Sequence, residues 1–170
     1  MSEQTENRFE RVDVEAVKDF VASRWTLDSL HGLPHWKRVA RNGQRLLTPE
    51  CNALVVELFA YLHDSCRTSN GYDEEHGPRA AMWIETLRNS LLRGLTDEEF
   101  GLLQEAVRLH TVCHRTGNPT IDACFDADRL DLTRVGIVPD PAKMATDKGA
   151  ELARKARLHN SIKGGANGRA

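Results

Sequence analysis

The 170-residue sequence predicts an all-α fold, on three observations. Apolar residues recur at three- and four-residue spacings along nearly the whole chain, no period-two run is bounded by hairpin turns, and helix-start and helix-stop residues punctuate the segments. A chain of this length buries a sizeable core without disulfides or a structural metal, so one domain of six to seven helices is expected.

The first helix is predicted over residues 12–25, with Val14, Val17, Phe20 and Val21 along one face. A second follows Pro34 and carries Val39, Leu46 and Leu47, with Gly43 weakening its middle. Pro49, a favoured first-turn residue, opens a third. Its apolar band of Leu54, Val55, Leu58, Phe59 and Leu62 is wide, which predicts a central position. After a polar loop containing Ser69, Asn70 and Gly71, a fourth helix is expected over residues 78–93, stopped by Gly94. Thr96 and Glu99 have the spacing of a capping box for a fifth, reaching about Val112. Asn118 and Pro119 suit the cap and first turn of a sixth, reaching about Val135 before Gly136. Pro139 and Pro141 punctuate the chain, residues 142–158 can form a polar last helix, and the final KGGANGRA reads as a flexible tail.

A net charge of −2 and a pI near 6.4 give no basic field for counterion-driven binding, which speaks against a nucleic-acid partner. Cys51, Cys66, Cys113 and Cys124 form no C-x-x-C pair, and the start MSEQTENRFERVDVE lacks the apolar stretch of a secretory signal. Reduced thiols in a cytoplasmic protein are the expectation. No apolar run approaches the roughly 20 residues that span a bilayer, so no membrane association is expected.

The residues suited to chemistry sit near predicted helix ends, where side chains from several helices can converge: His35, His63, Asp64, His76, His110 and Asp128. His63 and Asp64 lie about 100° apart around a helix, so both can lean into one pocket at its end. Imidazole nitrogen with carboxylate oxygen suits divalent ions such as zinc, manganese, iron, cobalt or nickel, and a carboxylate can bridge two of them. Taken singly, a histidine at a helix end reads as a dipole partner or a surface residue, and His31 and His114 stay in that reading. Asp126, Asp128 and Asp131, taken alone, read as a solvated helical face paired with Arg129 and Arg134. Met82 and Trp83 read as packing residues.

The order of the set changes that weighing. "HWKRV" at residues 35–39, "LHD" at 62–64, "EHGPRAA" at 75–81, "LHT" at 109–111 and "DADRLD" at 126–131 together resemble the HD-domain superfamily of metal-dependent phosphohydrolases, in the form of small stand-alone bacterial members. The resemblance covers residues 30–136. It implies a helical bundle with a metal site at the ends of central helices: residues 30–138 as the metal-binding core, residues 1–29 as an N-terminal helix packed on it, and residues 139–170 as a C-terminal helix and tail. It implies His35, His63, Asp64 and Asp128 as ligands of a principal ion, Asp128 being the aspartate directly before the basic residue and leucine of "ADRL". His76 and His110 match the two further histidines of members that bind two metals, with His114 a competitor for the place of His110. One or two divalent ions are therefore implied, from manganese, iron, cobalt, nickel, zinc or magnesium.

The activity implied is hydrolysis of a nucleotide or other small phosphoester by water that the metal activates, phosphomonoester and phosphodiester being undistinguished. Asp64, His76 and His110 are the catalytic candidates; with a single ion, the two histidines would orient phosphate and exchange protons. Arg79, at the start of the fourth helix, and Arg67 are candidate phosphate binders, since a guanidinium makes two parallel hydrogen bonds to phosphate; Arg115 is within sequence reach as well. Asp73, Glu74 and Glu75 read either as solvated loop charges or as partners of the histidines. The same ligand series also serves HD-type di-iron oxygenases, and a non-catalytic metal-stabilised binding module is a third reading. A small phosphorylated substrate is the expected partner, and a homo-oligomer is compatible with the sequence.

Overall fold

The structure, a computed structural model, describes residues 12–166, and these form seven α-helices and two short 3-10 segments with no strand among them. The all-α expectation holds. The helices are α1 (Val14–Arg24), α2 (Leu33–Leu46), α3 (Ala53–Leu62), α4 (His76–Glu85), α5 (Asp97–Leu109), α6 (Pro119–Arg129) and α7 (Asp147–Ala166). The 3-10 segments Leu132–Val135 and Pro141–Lys143 lie between α6 and α7. No helix among the described residues is long and apolar enough to cross a membrane. Cys51, Cys66, Cys113 and Cys124 are all free thiols.

Helix α3 is the centre, packing against α1, α2, α5 and α6. Its sequence ALVVELFAYL buries Leu54, Val55, Val56, Leu58, Phe59, Ala60, Tyr61 and Leu62, because apolar residues surround nearly its whole circumference. The helix starts at Ala53 rather than near Pro49, since the Asn52 side chain accepts the Val55 N–H at 3.1 Å and so takes the capping role. Gly43 has a use as well. A Cβ there would approach Val56 Cγ1 within 2.6 Å, so the glycine lets α2 lie close against α3.

One end of the bundle is tied by polar contacts. Asn52 donates its backbone N–H to Thr120 Oγ1 at 2.9 Å and its side-chain amide to Glu99 Oε1 at 3.1 Å. The starts of α3, α5 and α6 are thereby fastened together. Each has its own cap: Asn52 for α3, the complete Thr96–Glu99 capping box for α5, and Asn118 with Pro119 for α6. Helices of similar length that begin together also end together. Their C-terminal ends carry His63 and Asp64, His110, and Asp128 to the opposite pole of the bundle.

Other boundaries differ from expectation as well. Helix α4 stops at Glu85, and residues 86–94 continue as turns closed by bonds such as Leu87 N–H to Ile84 O at 3.0 Å and Arg88 N–H to Glu85 O at 3.1 Å. Helix α6 ends at Arg129, and a turn at residues 130–131 leads into the 3-10 segment Leu132–Val135, closed by Gly136 in the left-handed region at φ 79°. Helix α7 begins at Asp147, not at residue 142, because Pro141–Lys143 forms its own 3-10 turn. It runs through residue 166, so the first part of KGGANGRA is helical, while residues 167–170 lie outside the described residues.

Candidate metal centre

Six residues gather at the pole where α3, α5 and α6 end and α2 and α4 begin: His35 and His76 come from the first turns of α2 and α4, His63 and Asp64 follow α3, His110 follows α5, and Asp128 closes α6. All six are the residues expected from the sequence. His35 and His63 are fully buried and Asp64 and His76 nearly so. Gly77 makes the approach of His76 feasible, since a Cβ there would meet Val107 O at 2.9 Å and His110 Cε1 at 3.3 Å.

The histidines share one hydrogen-bonding arrangement. His35 Nδ1–H donates to Asp131 Oδ2 at 2.7 Å, His63 Nδ1–H to the Phe59 and Ala60 carbonyls at 3.1 Å, and His110 Nδ1–H to Val107 O at 2.7 Å. His76 Nδ1–H donates to Asp73 O in a short contact. With every Nδ1 committed as a donor, every Nε2 carries its lone pair inward. Outer partners that fix the tautomer in this way are the usual support of metal-binding imidazoles.

The inward atoms form two adjoining groups that share Asp64. On one side, Asp64 Oδ2 lies 3.5 Å from His35 Nε2 and 3.6 Å from His63 Nε2, and Asp128 Oδ1 lies 3.4 and 3.8 Å from the same two nitrogens. On the other, Asp64 Oδ1 lies 2.9 Å from His76 Nε2 and 3.8 Å from His110 Nε2. The nitrogens themselves approach closely, His35 to His63 at 3.1 Å and His76 to His110 at 2.9 Å. Two lone pairs so placed repel unless a cation lies between them. Ligand atoms at about 2.1 Å from one ion and at right angles are about 3 Å apart, which is the spacing found.

Asp64 Oδ2 and Asp128 Oδ1 are buried and have no hydrogen-bond partner among the described residues, although imidazole nitrogens surround them. A buried carboxylate oxygen left without a donor is costly, and a bound cation removes that cost. The residues present therefore fit a divalent ion. The ligand-atom groups compatible with one are His35, His63 and Asp64; Asp64, His76 and His110; and His63, His110 and Asp128.

The electrostatics are arranged for neutral imidazole and ionised carboxylate. Burial pushes the His63 pKa down to about 3. Burial alone would lift Asp64, but the surrounding imidazoles, His63 first, outweigh it and hold the carboxyl well below the usual range. Asp128 is likewise held low against burial, by His63, His35 and Arg134. His35 is the exception among the imidazoles: burial lowers it, yet Asp131, Asp64 and Asp128 together bring it above its ordinary value.

The tract read in isolation as a solvated face is buried. Asp126 is 0% exposed and accepts the backbone N–H groups of Ala145 and Thr146, each at 2.8 Å, so it holds the approach to α7. Asp131 holds His35 and accepts Arg38 Nε–H at 2.7 Å. The helical wheel shows spacing only, and here packing of α7 and of the 3-10 turn covers the face that spacing would leave in water.

His31 was not distinguished from a surface histidine by sequence, and it is buried beside the cluster with Nδ1 3.3 Å from Asp64 Oδ2 and Nε2–H toward Asn70 O at 3.2 Å. Its only sequence signal is its position four residues before His35, across the Gly32 cap rather than along a helix. His114 is exposed and takes no part. Met82, expected to pack, is 76% exposed, while Trp83 stacks on Phe20 with centroids 6.2 Å apart.

Of the expected phosphate binders, Arg67 directs Nη1 to within 3.3 Å of His76 Nδ1 and 3.7 Å of Asp64 Oδ1, at the cluster. Arg79 is engaged elsewhere: Nη2 donates to Asp73 at 2.6 Å and to Cys66 O at 3.0 Å. Arg115 is largely exposed, 3.8 Å from Asp122. Comparisons with known protein families, with curated proteins and with solved structures return no match.

Proposed function

We propose that the chain is a divalent-metal-dependent phosphohydrolase of HD-domain type, acting on a nucleotide or another small phosphoester. The observation that carries this reading is the shared Asp64: its two oxygens face two separate histidine pairs, each with Nδ1 committed outward and Nε2 free inward. His35, His63, Asp64 and Asp128 would hold one ion, and His76, His110 and the other Asp64 oxygen a second. Bound there, divalent metal supplies a Lewis acid for phosphoryl oxygen and lowers the pKa of water toward neutrality.

The chain's own residues supply the rest. Asp131, Asp73 and the carbonyls of Phe59, Ala60 and Val107 fix the ring orientations. Arg67 brings a guanidinium with a side chain only 9% exposed to the Asp64 Oδ1 side, where an anionic substrate would meet it. The ordered series of HWKRV, LHD, EHGPRAA, LHT and DADRLD supports the same family and activity.

The test is metal analysis of the protein purified without added metal, followed by a screen of phosphomonoesters, nucleotides and cyclic nucleotides under nitrogen. Phosphate release that a chelator abolishes and metal restores is the expected result. Iron with substrate-dependent oxygen uptake and no phosphate release would assign the cluster to oxygenation instead, and tight ligand binding without turnover across the panel would leave a binding module.

A further inference from the structure

Arg134 lies in the 3-10 segment just after the Asp128 ligand position, with a side chain only 10% exposed. A guanidinium has five N–H donors, and taking it out of water is expensive unless they are used. Here few are. Nη1 donates to the carbonyl of Asp131 at 3.1 Å, and Nη2 stands 3.4 Å from His31 Nδ1. Asp128 Oδ1 and Asp131 Oδ2 lie 3.8 Å from Nη1, near enough for attraction and too far for a hydrogen bond. Nε has no hydrogen-bond partner among the described residues. Arg79 by contrast binds Asp73 and Cys66 O, and Arg129 binds Asp126 and Cys113 O.

His31 faces the same space. Its Nε2–H points at Asn70 O, which leaves a lone pair on Nδ1 toward both Arg134 and Asp64. Charge points the same way. Asp64, Asp128 and Asp131 face the three guanidinium groups of Arg67, Arg134 and Arg38, so the carboxylates already have cationic side chains beside them before any ion is bound. Each divalent cation then adds two positive charges in a buried site, which an anion of matching charge offsets.

Resting on the phosphohydrolase reading, we infer that Arg134, with His31 beside it, is an anion-binding residue that takes the phosphoryl oxygens of the substrate at the Asp128 edge of the site. Arg67 flanks the cluster from the Asp64 Oδ1 side, so the bound phosphoryl group lies between two buried guanidinium groups. A phosphoryl group has enough oxygens to reach both metal and guanidinium, which a monodentate neutral ligand lacks.

The experiment is calorimetric titration of metal-loaded protein with inorganic phosphate, comparing the native chain with Arg134→Gln and Arg134→Lys. Arg134→Gln is expected to weaken phosphate binding tenfold or more, Arg134→Lys to recover part of it, and metal content by elemental analysis to stay unchanged in both. In the native protein, the Arg134 Nε–H resonance is expected to shift on phosphate addition, a readout that needs no variant to fold. Native-like phosphate affinity in Arg134→Gln, absence of phosphate binding by the native protein, or an unmoved Nε–H resonance would each overturn the inference. Phosphate binding that depends on Arg134, with no phosphoester hydrolysed, would overturn the hydrolase reading and leave the anion site standing.

Discussion

The two sides of Asp64 are built from different parts of the molecule. Its Oδ2 side is made by α2, α3 and α6, whose packing forms the middle of the bundle, and His35 and His63 there are fully buried. The Oδ1 side is made by His76, held through the carbonyl of Asp73 in the loop after α3, and by His110 at the C-cap of α5. Helix α4 packs on α5 and belongs to the periphery. A ligand ring held from the packed middle of the bundle keeps its geometry when no ion is bound, and one oriented by a loop carbonyl must be reordered at a cost. The two halves, though chemically alike, should therefore bind metal with unequal affinity, the Oδ2 half first.

Asp64→Ala removes the one residue common to both halves and should have the largest effect. Metal content is expected to fall to background and the proposed metal-dependent phosphatase activity with it, by a factor of 1,000 or so if Asp64 is a ligand of both ions. The helical circular dichroism should remain largely intact, since Leu58, Phe59 and Leu62 still pack α3 in place. Full activity in a metal-depleted Asp64→Ala protein would refute the mechanism.

Single-sided substitutions break the symmetry directly. His76→Ala should leave one tightly held ion per chain and remove the weaker one, whereas Asp128→Ala should weaken the tighter ion. Elemental analysis after dialysis against a graded series of chelator concentrations separates the two outcomes. Equal loss from both variants would show that the halves are equivalent. Asp131→Ala is a milder probe of the same half, because it removes the acceptor that holds the His35 ring and touches no inward atom. Affinity for the first ion is expected to drop by about 10- to 100-fold, with the second unaffected.

The two halves were also unequally legible in the sequence. Helical periodicity and caps gave the all-α class, the central place of α3 and the polar ends on which His63, Asp64, His110 and Asp128 sit. The ordered histidines and aspartates then named the inward residues. What spacing could not convey was which carboxylates would be covered by later chain. Asp126 and Asp131 lie within three residues of Asp128, yet one faces the start of α7 and the other holds His35, and neither assignment follows from their intervals alone. His31 was missed because the turn at Gly32 separates it from α2, so no helical face connects it to His35. The phosphate-binding expectation for Arg79 overlooked an intramolecular competitor. Asp73 is six residues away in sequence, and only the folded loop shows that its carboxylate reaches the guanidinium first.

That competitor supplies the smallest and most local probe of the Oδ1 half. Asp73 accepts Arg79 Nη2–H at 2.6 Å and the Thr68 N–H at 2.9 Å, while its carbonyl holds the His76 ring. Burial would raise its carboxyl, but Arg79 and Thr68 outweigh burial and bring the pKa down to about 2. In the unfolded chain an aspartate titrates near ~3.9. The folded value is the lower one, so the contribution is complete above pH ~4 and is lost as pH falls from there toward 2. Arg79 is still 37% exposed and water screens the pair, so roughly 1 kcal/mol is the scale. Asp73→Asn should therefore lower urea stability by about that amount at pH 7, and the gap between variant and native chain should narrow as pH falls from ~4 toward 2. It should also release the second ion at lower chelator concentration while leaving the first untouched, because the loop it secures carries the Asp73 carbonyl that orients His76 and orients none of the Oδ2-side ligands. A stability gap that persists unchanged to pH 2, or an equal weakening of both ions, would mean that the loop does not hold the Oδ1 half by this ion pair.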